Sequence, residues 1–262
     1  MNTVIQSLKN PQIKYLMQVF EKSKIRKKEG VFVVEGLREL MHAFDGGYQM
    51  QAIYLSDAHP DLFDVIPYEK HKISWVSSDV FEKLAYRETT SGVIGLGISK
   101  KHTLSELTLP HNPLILVLES IEKPGNIGAV LRTADAAKVD AVILAEPLAD
   151  LYNPNVIRSS VGCVFTNQIA LGSNEEVASF LKKNNISVFC AGLQNANVYT
   201  KEDFKPSCAL VFGNEANGLS EFWKNQFQNI IIPMRGFIDS MNISVATAII
   251  TFEAIRQREI NA

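Results

Sequence analysis

The chain has 262 residues, of which 46% are hydrophobic, and its formal net charge at pH 7 is −2. This length fits one large domain or two smaller ones with substantial cores. The near-neutral charge excludes a chain that attracts nucleic acid over its whole surface. Three widely spaced cysteines favour reduced core thiols over a disulfide framework, and no metal-ligand spacing links them to the histidines, so no metal is expected.

The hydropathy pattern argues against a membrane segment. The late apolar stretch "VATAIITFEAI" is too short to span a bilayer and contains Glu253. The amino-terminal segment lacks the long apolar run of a signal peptide. Together with the unpaired cysteines, these features predict a cytoplasmic protein with no membrane association.

The amino-terminal segment is basic. Residues 1–30 contain seven lysines and arginines but only two acidic residues. This imbalance is typical of a solvated helix face and also of an arm that grips phosphates, and charge alone does not separate the two. We assign residues 1–28 to a basic helical arm. Its candidate phosphate contacts are Lys22, Lys24, Arg26, Lys27 and Lys28.

Residues 29–99 alternate strand-like and helix-like patterns. "GVFVVEGLRELMHAF" predicts a strand followed by a helix, and "QMQAIYLSD", "KISWVS" and "SGVIGLGI" predict further strands. "SSDVFEKLA" begins with helix-capping residues and continues with a periodic apolar face. The pattern predicts a small α/β domain. Residues 100–113, which are rich in Lys, Ser, His and Pro, are predicted to be a linker.

The second half contains short, continuously apolar runs separated by helical patterns. The predicted strands are "LILVLES", "DAVILAE", "SVFCAGL", "CALVFGN" and "NIIIPM". Continuous apolar strands that alternate with helices indicate a parallel sheet with helices on both faces. Ligands of such sheets bind beyond the carboxyl ends of the strands. The segments that follow the strands are therefore the candidate functional loops.

Three of these strand exits are rich in Gly, Asn or Ser and each turns into a helix. They are "IEKPGNIGAVLRTADA", "GNEANGLS" and "MRGFIDSMNISVATAIITFEA". No phosphate-binding loop with its lysine is present, and the first exit lacks the pyrophosphate loop of dinucleotide-binding folds. The predicted pocket therefore fits a ligand without phosphates. S-adenosyl-L-methionine combines adenine, ribose and an amino-acid tail with a positive sulfonium.

At these exits the sequence resembles the SpoU-type RNA 2′-O-ribose methyltransferases. The first motif, "NIGAVLRTADA", has the family's Asn followed six positions later by Arg, and the second, "FGNEANGLS", resembles G-x-E-x-x-G-L. The third, "IPMRGFIDSMNISVATAI", departs from the family at Met241, where Leu is usual. "NPNVIRSSVGCVF", "SLKNPQIKYL" and "LAYRETTSGVIGLG" also resemble the family, so the match covers nearly the whole chain.

The resemblance implies a fold and a partner as well as an activity. Residues 114–262 would form an α/β methyltransferase domain with a trefoil knot, a rare exception among folds. Residues 29–99 would form a ribosomal-protein-like domain that binds the RNA substrate. The chain would act as a homodimer with the active site near the subunit interface. It would methylate RNA, with ribosomal RNA favoured, and the alternatives are transfer RNA and a catalytically inactive RNA-binding relative.

The resemblance also assigns roles to individual residues. The catalytic candidates are Arg132, Asn126, Glu215, Ser240 and Asn242. The cofactor-binding candidates are Gly213, Ile232, Met234 and Met241, and Arg158 would add a phosphate contact. Arg132 would act as a base or, since a guanidinium stays protonated, would stabilise the developing alkoxide.

Roles are also assigned to the other polar candidates. Asn126 would orient the substrate or Arg132, and Glu215 would hold the arginine or the second loop. Ser240 and Asn242 would contact the ribose. Taken singly, Asn126 fits a turn residue, Arg132 a solvated helix residue, and the other three helix caps. A nicotinamide-dependent α/β enzyme is a rival interpretation, against which the missing pyrophosphate loop argues.

Overall fold

The computed structural model describes residues 4–85, 92–192 and 195–259. The chain forms two compact units, one of Met1–Lys101 with Asp150–Thr166 and the other of His102–Ala149 with Asn167–Ala262. The segment Asp150–Thr166, which the sequence analysis places in the second domain, thus belongs to the first unit. Residues 86–91, part of the family-like stretch "LAYRETTSGVIGLG", lie outside the described residues.

The elements alternate between strand and helix along most of the chain. In the amino-terminal half they are α1 (Pro11–Glu21), α2 (Ser23–Glu29), β1 (Val31–Glu35), α3 (Leu37–Asp45), β2 (Met50–Ser56), α4 (Leu62–Val65), β3 (Ile73–Val76), α5 (Ser78–Leu84) and β4 (Val93–Ile98). They continue as β5 (Leu114–Glu119), α6 (Pro124–Ala136), β6 (Ala141–Ala145), α7 (Pro154–Ser159), β7 (Ile169–Gly172), α8 (Asn174–Lys183), β8 (Ser187–Ala191), β9 (Asn197–Val198), β10 (Cys208–Phe212), α9 (Glu221–Gln226), β11 (Gln228–Ile231) and α10 (Ile243–Glu259).

The first unit contains a four-stranded mixed sheet in the order β1-β4-β2-β3. β4 is antiparallel to both of its neighbours, and β2 and β3 are parallel. Helix α1 begins at Pro11, with the Asn10 side chain accepting a hydrogen bond from the Gln12 backbone, which is a typical amino-terminal cap. Its apolar face, Ile13, Leu16 and Val19, is fully buried in the core against the sheet.

The second unit contains a seven-stranded sheet in the order β7-β6-β5-β10-β8-β11-β9, and every pairing is parallel. All residues of β5, β6 and β10 are buried, as a sheet covered on both faces requires. The predicted parallel sheet is therefore confirmed. After β5 the chain forms β6 and β7 on one side of β5, and β10 later pairs with the other side of β5. The carboxyl ends of β5 and β10 therefore flank a topological switch point.

Two short strands of this sheet have no clear signal in the sequence. β7 has four residues and β9 has two, and both lie at the edges of the sheet, where few apolar residues are needed. Much of the segment predicted as a linker packs on the second unit. Leu104–Glu106 form a 3-10 helix, and Leu104, Leu107 and Leu109 pack against the core.

Helix α10 carries apolar residues around most of its circumference. Ile250 and Ala254 are buried, whereas Val245 and Phe252 are each 48% exposed. Ala248 and Ile249 are half-buried and lie on the same face as these two, since the four residues are three or four positions apart. We call Val245, Ala248, Ile249 and Phe252 the α10 stripe. None of the helices within the described ranges combines the length and the apolarity needed to cross a membrane.

Candidate active site

A cavity of about 610 Å³ lies at the carboxyl ends of β8, β10 and β11 in the second unit. Its walls are the loop of residues 213–219 after β10, the end of β11 with Met234, the segment 239–243, and Ala246 and Ile250 of α10. This volume is within the usual range for a site that binds a small molecule or cofactor. The wall also includes Lys123 of the first strand exit, so all three Gly-, Asn- and Ser-rich exits contribute to one cavity.

The second-motif loop after β10 folds back on itself, and two glycines make this possible. A Cβ atom on Gly213 would lie 2.2 Å from the carbonyl carbon of Gly218, so no larger residue fits there without backbone movement. Gly218 has φ +66°, a left-handed conformation that favours glycine. Asn214 closes the turn, because its Oδ1 accepts from Ala216 N at 2.8 Å and its carbonyl accepts from Gly218 N at 2.8 Å.

Side chains from all three motifs meet at the edge of this cavity. The Nδ2 group of Asn126 in the first motif donates a hydrogen bond to Oε1 of Glu215 in the second. Nδ2 of Asn242 in the third motif donates to Oδ1 of Asn126 at 3.3 Å. We call Asn126, Glu215 and Asn242 the polar triad.

The triad refines two of the sequence-based interpretations. Asn242 also caps α10, because its Oδ1 accepts from Ser244 N at 2.8 Å, so the capping role and the contact with Asn126 coexist. Glu215 was expected to face a cation or to hold the second loop. Its hydrogen-bond partner among the described residues is the amide of Asn126, which fastens that loop to α6.

The remaining third-motif candidates line the cavity. Ile232, Met234, Ser240 and Met241 all belong to its wall, as does Gly213 of the second motif. The Ser240 hydroxyl donates to Asp239 Oδ1 at 3.1 Å and is exposed. These residues supply apolar surface and backbone groups rather than a concentration of charge.

The charges on the wall balance. The wall contains two basic residues, Lys123 and Lys224, and two acidic ones, Glu215 and Asp239. Such a lining gives no net attraction for a pyrophosphate, and it suits a ligand with both positive and negative groups. Among the residues that the structure covers, no cluster of three or more His, Cys, Asp or Glu side chains is placed to hold a metal ion.

Arg132 lies away from the cavity wall of its own chain. Its side chain is exposed on α6, and it has no hydrogen bond or ion pair within residues 4–85, 92–192 and 195–259. Asn126 and Arg132 point in different directions because six residues correspond to about 240° around a helix. Arg158 lies in the first unit on α7, where its Nη2 donates to Asn155 Oδ1 at 3.1 Å.

The basic arm divides into exposed and buried groups. Lys22, Lys24, Lys27 and Lys28 are exposed. Arg26 is only 3% exposed, and its Nε donates to Asp150 Oδ2 at 2.6 Å. Its Nη1 donates to the carbonyls of Val19 and Phe20 at 2.6 and 2.8 Å. The expectation that Arg26 contacts RNA phosphates is therefore corrected, because the guanidinium is committed to interactions inside the first unit.

The three cysteines are buried, as the sequence analysis expects. Burial raises the pKa of Cys190 to about 12, and the nearby Glu119 carboxylate adds to the rise. Burial likewise raises the pKa of Cys208 to about 11, although Arg258 opposes this change. Both groups therefore remain protonated thiols near neutral pH and act as core residues.

A polar group next to the cavity loop was not predicted from the sequence. Glu119, the last residue of β5, is 3% exposed and accepts hydrogen bonds from Ser220 and Asn174. The available signal was a carboxylate that ends an otherwise apolar strand. Lys123, Lys224, Ala246 and Ile250 were also missed as wall residues, and their sequence context resembles ordinary surface or core.

The comparison with known families agrees with this geometry. The sequence profile of the SpoU rRNA Methylase family matches residues 113–252, which include all three motifs and the whole cavity wall. The chain belongs to the SpoU rRNA methylase family. The resemblance read from the motifs is therefore confirmed. A second profile, the MRM3-like substrate binding domain, matches residues 10–95 of the SpoU family chain.

Relatives match this SpoU family chain over most of its length. It is 27% identical over 252 residues to the 23S rRNA (guanosine(2553)-2′-O)-methyltransferase RlmP of Bacillus subtilis, covering 95% of this chain and 97% of the relative. It is 33% identical over 198 residues to the 23S rRNA (guanosine-2′-O-)-methyltransferase RlmB of Haemophilus ducreyi, covering 71% and 79%. The crystal structure of an AdoMet-bound rRNA methyltransferase from Sinorhizobium meliloti superposes with a TM-score of 0.89 at 26% identity, covering 97% of each chain.

Proposed function

We propose that this protein transfers the methyl group of S-adenosyl-L-methionine to a ribose 2′-hydroxyl of RNA. The observation that carries the proposal is the polar triad, in which the first, second and third motifs meet through hydrogen bonds beside the cavity. Single residues of the triad fit ordinary caps and turns. Their assembly at the carboxyl edge of a parallel sheet fits a binding site.

The cavity suits S-adenosyl-L-methionine in size, polarity and charge. Gly213, Ile232, Met234 and Met241 would hold it, with backbone groups reading the adenine and ribose and the apolar side chains packing against them. When bound, this cofactor supplies an electrophilic methyl group with a good leaving group, so little further activation of the donor is needed. What the protein contributes is the position and the environment of the 2′-oxygen.

Positioning is the first task of the protein's own residues. Fixing the 2′-oxygen in line with the methyl group contributes about 7–11 kcal/mol toward lowering the barrier in favourable cases. We assign the ribose contacts to the exposed Ser240 hydroxyl and the amide of Asn242, which is hydrogen-bonded to Asn126. Glu215 fixes the rotation of Asn126 by accepting from its Nδ2 group.

The proposed role of Arg132 is to stabilise negative charge on the RNA substrate. A guanidinium remains protonated near neutral pH, so its more natural role is to hold the neighbouring phosphate and stabilise the developing alkoxide. Because Arg132 is exposed and lies outside the cavity wall of its own chain, a second chain would have to bring it to a cavity. This requirement leads to a dimer in which each Arg132 serves the cavity of its partner.

The α10 stripe gives this dimer a surface. Val245 and Phe252 are each 48% exposed, and α10 packs beside α6, which carries Arg132. Apolar residues that a monomer leaves exposed in one contiguous row commonly mark an interface. A twofold contact through α6 and α10 would cover the stripe on both chains.

The proposed substrate is large-subunit ribosomal RNA in the cytoplasm. The named relatives act on 23S rRNA, and residues 10–95 match a substrate-binding domain. Within this domain the exposed Lys22, Lys24, Lys27 and Lys28 supply phosphate contacts. Three buried cysteines without a disulfide suit a reducing compartment.

The direct test is methyl transfer from labelled S-adenosyl-L-methionine by the purified full chain to 23S rRNA, 16S rRNA or tRNA prepared from cells that lack the gene. Mapping the product by reverse transcription at low nucleotide concentration locates 2′-O-methylation. Label at one 23S position supports the proposal. Label in tRNA alone would show that the substrate is transfer RNA and not ribosomal RNA. Cofactor binding without methyl transfer to any RNA would indicate an inactive relative.

A further inference from the structure

The second-motif loop lines much of the cavity, and its glycines lose more conformational freedom on becoming ordered than other residues would. It contains Gly213 and Gly218, and its contribution to the wall comes from consecutive residues 213–219. A loop of this kind binds a ligand well only if its backbone is already held in the binding conformation. β10 fixes the loop at one end. The other end is Ser220, which directly precedes α9.

Ser220 is held by Glu119, a residue of the neighbouring strand β5. Glu119 Oε2 accepts from Ser220 N at 2.8 Å, and its Oε1 accepts from the Ser220 hydroxyl at 2.5 Å. Oε1 also accepts from Asn174 Nδ2 at 2.9 Å. The carboxylate is 3% exposed, so these donors replace the water that it would otherwise bind.

A second layer of contacts fixes Glu119 in turn. Asn174, the first residue of α8, accepts from Trp223 Nε1 at 2.8 Å through its Oδ1. Trp223 is fully buried and lies in α9, the helix that the second-motif loop enters. Glu119 and Asn174 therefore bind both ends of the first turn of α9, and Leu219, which is 2% exposed, packs into the same core.

We infer that Glu119 is a positioning residue for S-adenosyl-L-methionine: its carboxylate anchors Ser220 and so holds the second-motif loop in its binding conformation. This inference rests on the proposed function. Glu119 does not line the cavity and is almost fully buried, so it acts through the loop and not by contact with the cofactor. The role is specific to a carboxylate, because all of its partners here act as donors and an amide has one acceptor oxygen and two N–H donors of its own.

The test is the affinity of the full chain for S-adenosyl-L-methionine, measured by calorimetry for wild type and for Glu119→Gln. The variant places an amide opposite either the Ser220 N–H or the Asn174 amide. A hydrogen bond to a charged group is worth enough that its loss should raise Kd at least about tenfold. KM for the cofactor should rise in parallel, whereas kcat at saturating cofactor should stay within about threefold.

Glu146→Gln is the matched control. Glu146 follows the neighbouring strand β6, and its Oε1 accepts from the backbone N of the same Asn174 at 3.1 Å. It makes no hydrogen bond to the second-motif loop within the described residues, so Kd should change by less than about twofold. Hydrogen exchange adds a local readout: the Ser220 amide should lose protection in Glu119→Gln and keep it in Glu146→Gln.

Ser220→Ala tests the Glu119–Ser220 interaction by changing the donor residue. It replaces Glu119→Gln as the test if that variant fails to fold. It removes one donor while leaving the carboxylate and the backbone bond intact, and it should raise Kd by a smaller factor. Combined with Glu119→Gln, it should add little further loss, because both changes break one interaction. Unchanged Kd in a folded Glu119→Gln or Ser220→Ala protein, or an equal loss in Glu146→Gln, would overturn the inference. A wild type that binds no S-adenosyl-L-methionine would instead overturn the proposed function.

Discussion

Asn126 donates a hydrogen bond to Glu215 across 89 positions of sequence, joining the helix after β5 to the loop after β10. The contact exists because β5 and β10 are adjacent parallel strands, so the segments that leave their carboxyl ends emerge side by side. Asn242 reaches the same asparagine from the start of α10. Asn126, which is hydrogen-bonded to both Glu215 and Asn242, therefore fixes the relative positions of the three motifs. Exchanging the hydrogen-bond donor and acceptor between positions 126 and 215 tests this contact.

We predict that Asn126→Asp lowers methyl transfer about 10- to 100-fold, because it replaces an amide donor with a carboxylate that faces Glu215. Combining it with Glu215→Gln should recover much of the loss. In the double variant the new amide at position 215 donates to the new carboxylate at position 126, so donor and acceptor are exchanged, while Asn242 still donates to position 126. The measurement is kcat/KM for RNA at saturating cofactor. Equal loss in the single and double variants would contradict the pairing.

Arg132→Ala is predicted to lower kcat about 100- to 1,000-fold, as expected for loss of a group that stabilises developing charge. Kd for S-adenosyl-L-methionine should stay within about threefold, because the proposed role of Arg132 is to contact the RNA phosphate and the 2′-oxygen and not the cofactor. Arg132→Lys is the control that keeps the charge but loses the planar fork, and it should recover only part of the rate. Near-normal turnover of Arg132→Ala would remove this residue from the site.

Mixing two inactive variants tests whether Arg132 serves the partner's cavity. If it does, a heterodimer of Arg132→Ala with Asn242→Ala has one site in which both groups are intact. Random reassociation of equal amounts should then restore about a quarter of the wild-type activity per chain. Each variant alone should stay inactive. If Arg132 serves its own chain, the mixture will be as inactive as its components.

Ile249→Asp is predicted to give a folded monomer with little activity. Ile249 is half-buried on the α10 stripe, and in the proposed dimer the new carboxylate would be buried without a partner, at a cost of several kcal/mol. Ile250→Asp is the informative neighbour, because Ile250 is 1% exposed within its own chain and that variant should unfold. Sedimentation and thermal unfolding distinguish the two. A wild type that is monomeric and active at low micromolar concentration would contradict the dimer.

The sequence predicted the elements that have local signals. Apolar runs located β5, β6, β8, β10 and β11, and the glycine- and asparagine-rich exits located the cavity loops. The Glu119–Ser220 contact was not predictable in this way, because its partners are 101 positions apart and depend on which strands become neighbours. The trefoil knot depends on the order in which the chain threads and stays a prediction.

The buried contact of Arg26 in the basic arm also has no signal in the local sequence. In composition it is one of five basic residues in a seven-residue stretch, and nothing in that stretch distinguishes it from the lysines. The difference lies in the helix face that it occupies and in Asp150, 124 positions away, which receives its Nε hydrogen bond. A buried acceptor so far along the chain leaves no trace in the local pattern.

Arg26→Ala is predicted to lower the free energy of unfolding by about 3–5 kcal/mol, because it leaves Asp150 buried without its partner. The double variant Arg26→Met with Asp150→Leu should recover most of that loss, since it removes both charges and keeps apolar volume. Denaturant unfolding of the full chain followed by circular dichroism gives both values. A change below about 1 kcal/mol in Arg26→Ala would show that the ion pair is dispensable.

The exposed lysines of the arm are predicted to contribute phosphate contacts that salt weakens. Replacing Lys22, Lys24, Lys27 and Lys28 with Gln should flatten the dependence of log K on log salt by up to about 0.7 per lysine for single-stranded RNA. The affinity for S-adenosyl-L-methionine should not change, because the arm and the cavity belong to different units.

The control replaces Lys182, Lys183, Lys201 and Lys205, which are exposed in the second unit, so the net charge changes equally. Filter binding to a 23S fragment at several salt concentrations gives the slopes. Equal flattening of the salt dependence in both variants would indicate a general charge effect. An unchanged slope in the arm variant would show that these lysines form a solvated helix face and do not contact RNA phosphates.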